Sequence, residues 1–379
     1  MEWLVQSPVM GLTVIEMMRA MGAETALKPL AAPVYFVMRD LRRRAAFSEL
    51  FETQGMPPAA SVYWDKWDGE TAWIINTYIQ LKRRGIDARL TDQFVSGGLC
   101  VATYDDLRRG GMPWRSYVLG CRMDRARPTL CEEVIVQNRT RCERSTDHYV
   151  AHWPQLSLRP REDERGDRLE NIVFHGEMDN IDQAFRSERF RDALKELGIT
   201  FMVHGLTRNR IGVSGRDWSQ TDAVLAVRGG SEFFRSVKPA LKLVNAWQAG
   251  CPALLGPEAG YREERKSDLD YFEVRTAEEA LVALRRLKAE PGLYRAMSEN
   301  GRTRALEHTP DVIAARWREM LAGVIADGFA KWARRSALSR FFAGSVRHVG
   351  RTVMHKVERE KFWRALGGRG YKAATAVKW

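Results

Sequence analysis

Between Asn171 and Gly256, short apolar runs alternate with helical stretches, and this alternation restricts the chain to an α/β layout around parallel sheet. Asn171-Ile-Val-Phe-His-Gly176 reads as a strand running into a glycine turn. Phe185 to Gly198 reads as a helix with a glycine stop, and Thr200–His204 as the next strand. Ala223-Val-Leu-Ala-Val-Arg228 is a further strand, followed by Gly229-Gly230. A helix is then expected to open at Pro239, where a missing N–H costs nothing in the first turn. Gly250 and Pro252 end it, and Ala253–Gly256 suits a buried strand. Helices are expected over Ala277–Leu287 and Pro291–Arg304. The same rhythm occurs earlier. Ser61-Val-Tyr-Trp64 is expected as a first strand, Asp65–Glu70 as a loop, and Thr71–Arg84 as a helix burying Ile74, Ile75, Tyr78, Ile79 and Leu81. Asp87–Thr91, Cys100–Tyr104, Ser116–Gly120 and Glu133–Gln137 supply further strands.

This pattern predicts an α/β fold of two Rossmann-like domains with a cleft between them. A mainly helical extension is expected over 1–60, a first Rossmann-like domain over 61–146 and a polar, turn-rich linker over 147–170. A second Rossmann-like domain is expected over 171–328 and a basic tail over 329–379. A chain of 379 residues is long enough for two such cores. Ligands of open α/β sheets sit at the carboxyl ends of strands.

Charge is unevenly spread. The net charge is +12, yet Phe329–Trp379 holds thirteen Lys and Arg against two Glu, which leaves the rest of the chain near neutral. Cys100, Cys121, Cys131, Cys142 and Cys251 are scattered, odd in number and free of any Cys-x-x-Cys pair. That argues against a zinc knuckle or disulfide framework and for a reducing compartment. No apolar run is long enough to span a bilayer, and the first residues lack the basic start and apolar core of a signal peptide. The expected location is the cytoplasm.

The stretch Ser236-Val-Lys-Pro-Ala-Leu-Lys-Leu-Val-Asn-Ala-Trp-Gln-Ala-Gly-Cys-Pro-Ala-Leu-Leu-Gly256 carries the sharpest chemical signal. Lys238 and Lys242 lie four residues apart, on one face of the expected helix and close to its N-terminus. A helix N-terminus bearing two ammonium groups attracts phosphate. Ser236 adds a hydroxyl. The same pair would otherwise be two solvated lysines on a surface helix.

The stretch resembles the donor-binding segment of glycosyltransferases with the two-Rossmann GT-B fold, of the family-1 and family-4 kind. The resemblance continues through Glu258-Ala-Gly-Tyr261, Tyr271–Ala280, Pro291–Gly301 and Trp317-Arg-Glu-Met-Leu321. It covers Asn171 to Leu321 and is fainter over 61–145. It implies a nucleoside-diphosphate sugar as donor, transfer of the sugar to a hydroxyl, and no cofactor or bound metal. Asn245 stands where retaining family-4 enzymes place a glutamate on the nucleotide ribose, and its amide offers the same hydrogen bonds. Eight positions earlier that pattern has a second glutamate, and here the residue is Val237. The family-4 mechanism is therefore not carried over, and inversion and retention both stay open.

Other residues are candidates from position. Arg228 ends a strand, where a guanidinium would grip phosphate or form an ion pair with Glu232 or Asp222. Gly176 allows a close backbone approach, with Glu177 beside it. His204 ends the next strand, where this fold meets the nucleobase. A base that takes the acceptor proton is expected from the first half. Asp65, Asp68 and Glu70 follow the first expected strand among Trp64, Trp67 and Trp73, whose indoles suit sugar stacking. Helix N-termini favour acidic residues in any case, and Asp105 and Asp106 are a second choice. His148 and His152, four apart, lack a third metal ligand, so no metal site is expected.

In the tail, Val346, Val349, Val353 and Val357 recur at helical spacing with Arg347, Arg351, Lys356, Arg359 and Lys361 on other faces. Phe341, Phe342, Phe362 and Trp363 add bulk. This basic amphipathic helix suits attachment to an anionic membrane surface, which would fit a lipid-linked acceptor. It equally suits a last helix crossing back over the first domain with its valines packed there. Nucleic acid ranks third, because no recognition module is present. A nucleotide-sugar epimerase on the same scaffold and a non-catalytic polyanion-binding protein are the competing functions.

Overall fold

The computed structural model describes residues 24–53, 55–63, 65–205 and 215–367. The chain forms two compact units. The first to appear comprises Glu24–Leu156, Ser231–Pro239 and the chain from Ile313; the second comprises Ser157–Gly230 and Ala240–Val312. Each is built on one parallel sheet, which meets the expectation of a two-sheet α/β protein.

In the first unit the strands are β1 (Val34–Val37), β2 (Ala88–Thr91), β3 (Leu99–Thr103), β4 (Tyr117–Cys121), β5 (Glu133–Val136) and β6 (Asp147–Tyr149). Their spatial order is β2-β1-β3-β4-β5-β6, and every pairing is parallel. β3 and β4 are buried throughout, as strands covered on both faces must be. The topological switch point lies between β1 and β3.

Three expectations fail in this unit. The first strand is Val34–Val37, inside the stretch expected to be helical; residues 1–23 of that stretch lie outside the described residues. Ala32-Pro33 leads into Val-Tyr-Phe-Val-Met, and this short apolar run forms an inner strand between β2 and β3. Ser61–Tyr63 belongs instead to a 3-10 turn, Ala60–Tyr63, with Val62 exposed. The place of the first strand is taken by β1, which pairs β2 and β3; Trp64 lies outside the described residues. Asp147–Tyr149, read as the start of a linker, is the edge strand β6. The Thr71–Arg84 helix forms with a π-helical turn over Ala72–Asn76.

The second sheet has β7 (Asn171–His175), β8 (Thr200–His204), β9 (Ala223–Ala226), β10 (Ala253–Leu255) and β11 (Phe272–Glu273), in the order β11-β10-β9-β7-β8. All pairings are again parallel. The switch point lies between β7 and β9. The helix ahead of β10 spans Leu241–Ala249, and Gly250 caps it at φ +69°. A left-handed residue at a helix end favours glycine.

A buried charge cluster fixes the start of β7. Asp222, fully buried, accepts from Arg161 at 2.9 Å and Arg165 at 2.7 Å. It also accepts from the backbone N–H groups of Glu170 and Asn171. Burial opposes its ionisation, but the hydrogen bonds from Arg165 and these amides outweigh it and hold the carboxyl below its usual range. Removing one member of such a group strands buried charge at a cost of about 3–5 kcal/mol. Asp222→Ala is expected to lower the melting temperature by many degrees in calorimetry. A shift within error would show the cluster to be dispensable.

Candidate functional site

In the second unit the candidate residues gather at the carboxyl ends of β7 and β8. β7 ends in His175 and runs into Gly176. The Lys242 ammonium, on the first turn of the Leu241–Ala249 helix, donates to the carbonyl of His175 at 2.7 Å. It also sits over the Phe174 ring at 4.7 Å. A Cβ on Gly176 would meet Phe174 at 3.0 Å and the Lys242 ammonium at 3.1 Å, so glycine lets this cation close over the strand end. Asn245 lies one turn further along the helix and is buried. Glu177 is partly exposed beside Gly176.

His175 and His204 pack edge to face at 5.0 Å, and His175 stacks on Trp218 at 3.7 Å. Burial, reinforced by His204 and Lys242, pushes the His175 imidazole down to about 2. Burial likewise lowers His204. The charged form of both rings is disfavoured, and Lys242 with the helix N-terminus supplies positive potential at this strand end.

Arg228, after β9, is turned onto the fully buried carboxylate of Glu258 and reaches the Tyr261 hydroxyl at 3.3 Å. The expected partners were Glu232 or Asp222. Asp222 is already spent on two other arginines.

Lys238 is not on the helix of Lys242, which corrects the expectation of two ammonium groups on one helix face. A short helix, Glu232–Ser236, capped by Ser231, precedes it, and the next helix begins only at Leu241. The side-chain amide of Asn138 donates to the carbonyls of Ser236 and Lys238, and Gln137 donates to that of Val237. These three captured carbonyls hold the segment in the first unit and stop the helix there. The Lys238 ammonium pairs with Asp124 at 2.7 Å. The Ser236 hydroxyl donates to the carbonyl of Phe233.

The first unit collects a second cluster at the carboxyl ends of β1 and β3. Asp40, after β1, caps the helix Leu41–Ala46. Arg43 on that helix pairs with Asp68 at 2.7 Å and Glu70 at 2.9 Å, and lies 3.5 Å from Asp40. Asp106, fully buried, accepts from the Arg39 backbone N–H and the Thr103 hydroxyl, joining the two strand ends. Beside it runs a chain of pairs, Asp105–Arg125–Asp124–Lys238.

The three carboxylates expected as bases are not equivalent. Asp68 caps its helix by accepting from the Thr71 N–H, in a reciprocal capping box. Asp65 is exposed in a turn. Glu70 has a side chain only 7% exposed. Burial pushes its carboxyl up to about 8; Arg43 opposes this, and Asp105, Asp106 and Asp68 add to it. Arg43 is shared between Asp68 and Glu70, while Arg109 also serves Asp40, so the buried Glu70 carboxyl is only partly compensated. The expected indole platform is also revised. Trp73 is core, against Trp317 at 6.1 Å, and Trp67 packs on Phe47 at 5.6 Å.

His148 and His152 lie on β6 and the coil after it rather than on a helix face; His148 pairs with Glu133 and His152 bonds the Trp153 carbonyl. Among the described residues no group of three or more His, Cys, Asp or Glu could hold a metal ion, and no helix is long and apolar enough to cross a membrane.

Arg43, Asp40, Asp124 and Arg125 were not foreseen as site residues. The Val34–Met38 run is the signal that places Asp40 and Arg43 after a strand. Nothing in sequence spacing marks Asp124 and Arg125, which reach the cluster only through the order of β3 and β4.

No family model and no curated protein matches the sequence. The chain is similar to several solved structures. One is sucrose-phosphate synthase from Thermosynechococcus elongatus, at 12% identity over 60% of this chain and 74% of that one, with a TM-score of 0.43. Another is HepE of Anabaena in complex with UDP-glucose, at 12% identity over 79% of this chain and 100% of that one, with a TM-score of 0.46. A third is the pneumococcal O-GlcNAc transferase GtfA in complex with UDP and GlcNAc, at 11% identity over 61% and 58%, with a TM-score of 0.38. These values fix no residue correspondence, and no residue role is taken from them.

Proposed function

We propose that this protein is a glycosyltransferase that moves a sugar from a nucleoside-diphosphate sugar to a hydroxyl acceptor, either lipid-linked or a glycan precursor. The observation that carries the reading is the Lys242 ammonium, held 2.7 Å from the last carbonyl of β7 and next to the switch point of the second sheet. A diphosphate there would meet an ammonium, the backbone at Gly176 and a helix N-terminus. Asn245 would hold the ribose, and Glu177 and His204 would line the site. Arg228 would contribute only by exchanging Glu258 for phosphate; in the first unit, Lys238 would be free for phosphate only by leaving Asp124, and Ser236 offers a hydroxyl two residues before it.

In the proposed reaction the acceptor oxygen attacks the anomeric carbon, and the bond from that carbon to the diphosphate oxygen breaks. The electron pair leaves with the diphosphate, whose charge is met by Lys242 and the helix dipole without a metal. The acceptor proton passes to Glu70, with Asp68 and Arg43 setting its basicity and Asp65 at the rim. The scattered cysteines lack the spacing of a disulfide framework, and on that ground we place the protein in the cytoplasm.

The test is a panel of nucleoside-diphosphate sugars, each with and without saccharide and lipid-linked acceptors. Release of nucleoside diphosphate that requires an acceptor is the expected result. Conversion of donor with no acceptor would replace this reading with an epimerase. Donor binding with no turnover across the panel would replace it with a binding protein.

A further inference from the structure

The C-terminal helix, Ala337–Ala365, has two unlike faces. One is sewn to the first unit. His355 is buried and stacks on Tyr104 at 4.6 Å. The Thr129 hydroxyl donates to the Arg351 carbonyl, and Arg351 pairs with Glu132 at 2.7 Å. The helix thus does return to the sheet domain, but its valines take no part in the packing. Val346, Val349 and Val353 are 75%, 67% and 60% exposed. With Leu338, Phe342 and Val357 they form one stripe at spacings of four, four, three, four and four residues, which keeps them on a single helical face.

The stretch that carries this stripe is basic, with Asp327 and Glu358 at its two ends. Gly328 through Val357 contains seven Lys and Arg and no Asp or Glu. Lys331, Arg334, Arg335, Arg347 and Lys356 are exposed. We propose that this face seats the protein on an anionic lipid surface, with the helix lying in the plane of the interface, the stripe among the acyl chains and the cations at the headgroups. A second copy is a poor occupant, because it would bring the same cations against themselves. Nucleic acid is a poor occupant too, because the outward face is apolar and would be dehydrated against phosphate. The inference goes beyond the glycosyl-transfer reading and is measured without any sugar.

The test uses the full chain and sedimentation with vesicles of phosphatidylcholine, alone or mixed with phosphatidylglycerol. Binding at least about tenfold stronger to the anionic vesicles is expected, weakening as salt rises. The double variant Val346→Glu, Val353→Glu should lose at least about tenfold of that binding while keeping its melting temperature, because both side chains face solvent. Equal binding to both vesicles, or binding untouched by the double variant, would overturn the proposal. So would a dimer seen by ultracentrifugation that the double variant abolishes in a protein that ignores vesicles.

Discussion

Replacing Glu70 by Gln is expected to lower turnover by roughly 10²–10⁴-fold while leaving donor affinity within about twofold, since a positioned general base contributes on that scale. The side chain is nearly isosteric, keeps an oxygen for Arg43 and loses only the ability to take a proton. Asp68→Asn separates the two roles at this site. Asp68 caps a helix and asparagine caps as well, so stability should change little and the rate should fall far less than in Glu70→Gln.

The pH dependence gives a second readout. The folded carboxyl of Glu70 titrates near 8, against an ordinary value of 4.5. A base must be deprotonated, so the rate should climb as pH rises through about 8, and this limb should vanish in Glu70→Gln. Stability runs the other way. The folded state holds the proton more tightly than the unfolded one between these values, so stability falls as pH rises from 4.5 toward 8. The variant should be flatter in that window. A rate limb unchanged in the variant would remove Glu70 from the reaction.

Lys242→Ala is expected to weaken nucleoside-diphosphate binding at least tenfold, about 1.4 kcal/mol. The ammonium is tied to a backbone carbonyl of β7 and backed by Phe174, so its position is fixed before any ligand arrives. Preorganisation of this kind makes a single cation count, because little side-chain entropy remains to be lost. Lys242→Arg should not restore affinity fully, since a planar guanidinium on a different stem does not reproduce the point charge that the ammonium places on the His175 carbonyl. Lys238→Ala serves as the contrast. Its charge is committed to Asp124, and its loss should act on the Asp105–Arg125–Asp124 chain more than on diphosphate affinity.

Four strands of the second sheet were legible in the sequence because each is a mostly apolar run close to a glycine or proline; the two-residue edge strand β11, Phe272–Glu273, was not foreseen, being too short to show a pattern. Thr200–His204 matches its expected bounds, and Gly250 ends its helix as expected. The first unit was harder to read. Its first strand, β1, is only four residues long and sits between a proline-led stretch and a run of arginines, so local composition favoured helix. Missing β1 hid the switch point, and with it Asp40 and Arg43. The pairing of Lys238 with Lys242 failed for another reason. Four-residue spacing predicts a shared face only within one helix, and long-range hydrogen bonds from Gln137 and Asn138 set where the helix starts. The valines of the tail were read correctly as a stripe. Which side of the helix met the protein depended on His355 and Arg351, whose partners lie more than two hundred residues away.

The central claim is a preformed diphosphate grip at the carboxyl end of β7. Titration calorimetry comparing a nucleoside diphosphate with its parent nucleoside tests it most directly. One site per chain is predicted, with the diphosphate bound at least about tenfold more tightly than the nucleoside and that advantage lost in Lys242→Ala. Equal affinity for the two ligands, or a diphosphate preference that survives in Lys242→Ala, would contradict it.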